Sequence, residues 1–178
     1  MLVFRYATQS DVARISTLVN KAFRGEDSKQ GWTTEAEILG GQRTDDKQIG
    51  QAIAASDQKI LLALDTTNNA IGPVLVGCAN ITMHPQCVYL GMLSVQPLLQ
   101  GHGIGRQILA EVETIARSNN TPLVRITVIH LREDLIAYYV RRGYKATGCV
   151  HPFPMLEEEF GLPKVPHLEL VEFEKHLI

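Results

Sequence analysis

Val88-Tyr-Leu-Gly-Met-Leu-Ser-Val95, then Gln96-Pro-Leu-Leu, then Gln100-Gly-His-Gly-Ile-Gly105, then Arg106-Gln-Ile-Leu-Ala-Glu-Val-Glu-Thr-Ile-Ala116: this stretch decides the fold. The first block is apolar and reads as a buried strand. In the last, Ile108, Leu109, Val112, Ile115 and Ala116 repeat at helical spacing and mark one apolar face. Between them lies a glycine-rich strand-to-helix turn. Such a turn leaves several backbone N–H groups without acceptors at the positive end of a helix dipole, which suits an anion and most often a phosphate. Glycine serves there because a Cβ would block close backbone approach and forbid some of the dihedrals. Arg106 stands in the first helical turn, where a cation opposes the dipole and a bound polyphosphate would reverse that sign. The plain alternative for Arg106 is a solvated surface arginine.

The loop is not a P-loop, since no Gly-Lys-Ser/Thr follows. The Gly101-x-Gly103-x-Gly105 spacing also departs from the dinucleotide fingerprint G-x-G-x-x-G. What remains is Gln100-x-x-Gly103-x-Gly105. Here the chain resembles the GCN5-related N-acetyltransferase (GNAT) superfamily, whose signature loop is Gln/Arg-x-x-Gly-x-Gly/Ala. The resemblance is tightest over residues 87–149 and extends to Tyr139-x-x-x-Gly143-Tyr144, where the family commonly has Tyr-x-x-x-Gly-Phe/Tyr. It implies an α/β fold, a mixed six- to seven-stranded sheet flanked by helices. The sheet would splay between the strand ending at Val95 and the strand at 123–129. The cofactor implied is acetyl-CoA, with CoA as product.

Size and composition are consistent with that reading. The 178 residues fit one domain with a substantial core, 45% hydrophobic and 20% charged. A net charge of −2 and an aromatic content of 6% give no electrostatic or stacking case for nucleic acid. Cys78, Cys87 and Cys149 lack metal or redox spacing and read as reduced thiols of a cytoplasmic protein. The opening Met-Leu-Val-Phe-Arg-Tyr turns polar too early for a signal peptide. Residues 66–105 carry no Asp, Glu, Lys or Arg, but prolines and polar amides interrupt them too often for a membrane span. They read as central strands buried on both faces.

Outward from the loop, strands are expected at 2–6, 59–65, 74–83, 87–95, 123–129 and 144–150, with a last one through Leu168, Leu170 and Phe173. Helices are expected after Thr8, with Asp11 in a capping-box position, from Thr34, read as a cap with Glu37 and stopped by Gly40-Gly41, and at 45–55, 105–118 and 133–142. Segments 24–31 and 151–166 read as loops.

The resemblance also assigns residues. Gln100, Gly101, His102, Gly103, Ile104, Gly105 and Arg106 would hold the diphosphate. Leu93, Ser94 and Val95 would offer backbone groups to the pantetheine arm, a backbone N–H near Leu93 polarising the thioester carbonyl. Tyr139 falls where family members often protonate the departing thiolate, and a phenol's reference pKa of ~10 suits that task. Its competing role is structural, because it shares an apolar helix face with Leu135, Ile136 and Val140. Arg132 stands where many members have a cofactor-contacting Asn, so it is a cofactor ligand or a helix neighbour. Trp32 and Glu35 would border the acceptor, Trp32 alternatively plugging the core edge. Several relatives carry a catalytic Glu on the strand before the loop, an option the charge-free run removes here. Glu26, Asp27, Glu35, His84, His151, Glu157–Glu159 and a water chain remain as bases. No His/Cys spacing supports a metal.

Three readings stand at this point. The first is an acetyl-CoA-dependent N-acetyltransferase acting on a primary amine of a small molecule or protein by direct transfer. The second is a catalytically inactive acetyl-CoA/CoA-binding regulatory module. The third is a nucleotide-binding protein of another class. Oligomeric state is open, a homodimer included.

Overall fold

The computed structural model describes residues 1–67, 70, 72–155 and 160–177. Its elements are β1 (Leu2–Tyr6), α1 (Val12–Phe23), α2 (Gly25–Ser28), β2 (Leu39–Gly40), α3 (Asp46–Ala54), β3 (Gln58–Asp65), β4 (Val74–Met83) and β5 (Val88–Val95). There follow α4 (Ile104–Ser118), β6 (Leu123–Ile129), α5 (Glu133–Val140), β7 (Lys145–Pro152), β8 (Leu162–Pro163) and β9 (Glu169–His176). Seven strands form one sheet in the order β1-β3-β4-β5-β6-β9-β7, while β2 and β8 pair as a separate two-stranded ribbon. All neighbours in the large sheet are antiparallel except β5 and β6. This is the expected mixed sheet flanked by helices.

Capping chemistry starts the first helical segment. Asp11 Oδ2 accepts from Thr8 N at 2.7 Å, and the Arg5 guanidinium forks onto Asp11 at 2.8 and 2.9 Å. Arg14 joins from the next turn. The Asp11 carboxylate is thus buried but fully engaged, and its pKa lies well below the carboxylate range, chiefly through Arg5. Asp45 caps α3 by accepting from Gln48 N at 2.7 Å.

Two cores lie on the two sheet faces. Ile60, Leu62 and Leu64 of β3 meet Ile15, Leu18, Val19 and Ile49 of α1 and α3. Leu61 and Ala63, pointing the other way, join Ile108, Leu109 and Val112 of α4 and Tyr139 of α5. Period-two alternation buries every residue from Ile60 to Leu64, which is why these strands look uniformly apolar.

The decisive irregularity is in β5. Val88 and Leu90 face the α4 side, as do Leu93 and Val95, so the alternation skips one residue. That residue is Met92, which takes φ 54° and packs against the α1-side core. The β4–β5 register shifts there, between Cys78↔Ser94 and Asn80↔Gly91. A bulge of this kind bends the strand. On its other side, β5 pairs with β6 only at Val88↔Val124 and Tyr89↔Arg125. From Leu90 to Val95 the two parallel strands have no ladder between them, so the sheet opens there in a V.

The structure differs from the sequence reading around 24–41. Gly25–Ser28, expected as loop, is a short helix. The short helix expected between Thr34 and Gly40 does not form: Leu39 N donates to Glu35 O in one isolated turn. The Thr34 hydroxyl, read as a cap, accepts from Ala36 N at 3.2 Å in that turn and also pairs with Ser28 Oγ at 2.6 Å. Gly40, read as a helix stop, lies in β2 opposite Leu162, within the segment expected to be loop. These contacts join residues far apart in the chain, beyond the range of a local pattern.

Candidate active site

A cleft of about 930 Å³ runs through the V and is lined from both faces of the sheet. That volume suits a sizeable small-molecule ligand. The glycine loop closes one end. Gly101 and Gly103 take φ 85° and 83°, a left-handed conformation that glycine tolerates, and Gly103 is the N-cap of the fifteen-residue α4. Gln107 N reaches Gly103 O at 3.1 Å, the first N–H of this helix to find a backbone acceptor. The N–H groups from Gly101 to Arg106 meet no acceptor among the described residues. Arg106 is exposed beside them.

The Gln100 side chain faces away from this cradle. Its Oε1 accepts from Trp32 N (2.8 Å) and Thr33 N (3.2 Å), and its Nε2 donates to Thr33 Oγ1 (2.8 Å) and Val95 O (3.1 Å). It staples the 31–33 turn to the end of β5. A Cβ on Gly31 would stand 2.5 Å from Gln100 Oε1, which explains the glycine there. Arg132 grips the same turn from the other side, donating to Thr33 O at 3.1 Å and to Asp134 at 3.0 Å. It is 4% exposed and does not line the cleft. Of the two sequence readings for Arg132, the geometry realises the contact with protein neighbours. Ser94 is also buried away from the cleft, its hydroxyl donating to Met92 O at 3.0 Å.

Leu93 and Val95 line the cleft along the open flank of β5. Opposite stands Tyr139 on α5, 6% exposed and lining the same space. Its Oη meets no protein partner among the described residues. Burial pushes the Tyr139 pKa upward, with Tyr138 and Tyr89 adding to the shift, so the phenol is protonated at neutral pH. Tyr138 and Tyr144 hold its ring edge-on at 5.3 and 5.5 Å. Tyr138, its neighbour in α5, carries a buried Oη without a partner among the described residues that reaches towards Gly105, 3.0 Å from where a Cβ there would lie. Arg142 lies 3.4 Å over its ring, and Trp32 packs against it at 5.4 Å. Trp32 therefore sits at the loop end of the cleft, not the far end.

At the apex of the V, Tyr89 Oη and Thr127 Oγ1 join across the two strands at 2.5 Å. Beyond lies the α1 side, built from side chains. Glu35, 9% exposed, is hydrogen-bonded to Arg24 and stands 3.6 Å from Arg132. Arg24 also donates to Phe160 O at 3.3 Å, and its buried Nε lacks an acceptor among the described residues. Arg43 sits over the Phe23 ring at 5.9 Å. Glu35 is the one carboxylate among the described lining residues, against five arginines. Of the other bases considered, Glu26, Asp27, His84 and His151 do not line the cleft, and Glu157–Glu159 lie outside the described residues. The roles of Arg24, Arg43 and Tyr89 left no signal in the sequence, because they come from separate elements at no motif spacing.

Comparison with known proteins agrees with this geometry. NAA60 of Arabidopsis thaliana, solved with a bisubstrate analogue, superposes with a TM-score of 0.71 at 15% identity, covering 99% of this chain and 98% of that one. The ribosomal-protein-alanine N-acetyltransferase of Brucella melitensis gives 0.68 at 20% identity, covering 98% and 99%. The putative acetyltransferase yncA of Salmonella typhimurium, solved with its cofactor acetyl-CoA, gives 0.67 at 18% identity, covering 99% and 94%. At these identities the likeness establishes the fold. No curated protein matches the sequence. Among the described residues no helix is long and apolar enough to cross a membrane, and no His/Cys/Asp/Glu group could hold a metal ion. The description "Acetyltransferase (GNAT) family" belongs to the family model that matches residues 22–144, more than half of the chain, and the chain is a member of that acetyltransferase family.

Proposed function

We propose that this chain is an N-acetyltransferase that takes acetyl-CoA as donor and passes the acetyl group directly to a primary amine. One observation carries the reading: the bare N–H cradle, the unladdered flank of β5 and the Tyr139 hydroxyl, partner-free among the described residues, all face one cleft. The cradle fits a diphosphate, since Gly101–Arg106 present N–H groups and Arg106 adds charge. The flank from Leu90 to Val95 fits an extended amide-bearing arm, which would pair with it as an added strand. When bound, acetyl-CoA supplies an activated acetyl thioester.

The chain's own residues do the rest. Main-chain N–H groups of the loop would bind and fix the donor end, while the flank of β5 near Leu93 would orient the reacting carbonyl. Holding both reactants in line contributes much of the rate. Tyr139, which lines the cleft and keeps its Oη proton, would supply that proton to the departing sulfur. The burial that raises the phenol's pKa disfavours a bare thiolate at the same place as well, so donor and acceptor of the proton stay matched. Proton removal from the amine falls to water in the cleft, because Glu35 is engaged by Arg24. Gln100 and Arg132 are positioning residues that hold the Trp32–Thr33 turn.

The test is thiol release from acetyl-CoA over a panel of amines and peptides. Acceptor-dependent release supports the enzyme. Tight acetyl-CoA binding without release on any acceptor would favour an inactive binding module, the reading kept open by the lack of an unpaired carboxylate among the described lining residues.

A further inference from the structure

The α1 side of the cleft holds an excess of positive charge. Glu35 is balanced by Arg24, and Arg132, which also approaches it, has Asp134. Arg43 is left over. It rises from the segment between β2 and α3, fixed by Arg43 N donating to Asn20 Oδ1 at 2.7 Å. Its guanidinium lies over Phe23 and forms no hydrogen bond or ion pair among the described residues. Burial lowers its pKa, Glu35 partly offsets this and Arg24 adds to the lowering, yet an arginine stays charged. Tyr89, at the apex of the V, is near enough to act on it as well.

A half-buried guanidinium with no acceptor among the described residues, beside a second arginine, is a ready partner for an anion entering the cleft. Its planar fork matches a carboxylate. The site lies on the α1 side, across the V from Tyr139 and away from the glycine loop. The anion is therefore one that the acceptor brings and not a phosphate of the donor.

We propose that the acceptor is a small amine that also carries a carboxylate, as a free amino acid does, and that Arg43 binds that carboxylate with Arg24 behind it. This rests on the acetyltransferase reading and narrows its substrate class. A polypeptide N-terminus, whose first carboxyl is tied up as an amide, lacks the group that Arg43 selects.

The experiment measures thiol release by the intact chain for the common α-amino acids and their α-amides, with wild type and Arg43→Gln. At least one amino acid should exceed its amide in kcat/KM by ~30-fold or more, and Arg43→Gln should remove most of that preference. Acetyl-CoA affinity, measured by calorimetry, should not change, which also shows that the variant is folded. Equal turnover of acid and amide, a preference that survives Arg43→Gln, or turnover confined to amines without a carboxylate would overturn the proposal. A thermal shift with the same amino acids, absent with the amides and absent in Arg43→Gln, reads the anion site without turnover. Failure of acetyl-CoA to bind would strike the acetyltransferase reading, while that shift would still decide the fate of Arg43.

Discussion

The two ends of the cleft are built from different materials. At the loop end the contacts come from main-chain N–H groups, presented by positive-φ glycines and the start of α4. At the far end they come from Arg24, Glu35 and Arg43, reaching in from α1 and the segments around β2. A backbone site constrains residue types at fixed spacing, so it is written as a motif. A side-chain site needs only that a few distant residues meet. The first suits a cofactor shared by a whole family, and the second can change its ligand without disturbing the first.

Substitutions can break this contrast. The largest effect is expected at Gly103, where a side chain must adopt φ 83°. Gly103→Val should weaken acetyl-CoA binding by at least ~1,000-fold, about 4 kcal/mol, while melting shows a folded protein. Wild-type affinity in that variant would deny the loop its role. At the other end, Glu35→Gln strands Arg24 in a buried setting and should cost about 3 kcal/mol of stability in a urea titration. A loss within ~0.5 kcal/mol would mean the cluster is not the desolvated pair described here.

Between the ends, Tyr139→Phe should lower kcat ~100-fold and leave acetyl-CoA affinity within ~2-fold. Unchanged kcat would return Tyr139 to the core. The smallest effect is expected outside the cleft, at Asp11. Its folded pKa is depressed, so its stabilising contribution is complete above the unfolded value of ~3.9 and declines as pH falls below it. Arg5 and Arg14 are 39% and 40% exposed, and solvent screening limits the Asp11→Asn loss to ~2 kcal/mol at neutral pH. The gap between variant and wild type should close in melts taken below pH ~4, and a gap constant down to pH ~2 would contradict the ion pair.

The same division explains what the sequence disclosed. The strands of the large sheet, the helix after the glycine loop and the place of Tyr139 follow from periodicity, caps and a motif, all local. The opening between β5 and β6 was expected from family resemblance alone. Its physical cause, the Met92 bulge, is visible only when both flanking registers are known. The β2–β8 ribbon joins Leu39 to Pro163 and left no local trace. Gln100 and Arg132 stood out by position, yet a position cannot show that their side chains turn inward to the 32–33 turn. Arg43 matched no pattern. Its importance lies in a partner it lacks among the described residues, which no periodicity encodes.

Amide hydrogen exchange with and without acetyl-CoA tests the central claim most directly, because that claim concerns main-chain N–H groups. The amides of Gly101–Arg106 and the open flank of Leu90–Val95 should exchange markedly more slowly in the complex, with α1 little changed. Saturating acetyl-CoA that leaves both segments exchanging at their free rates would contradict it.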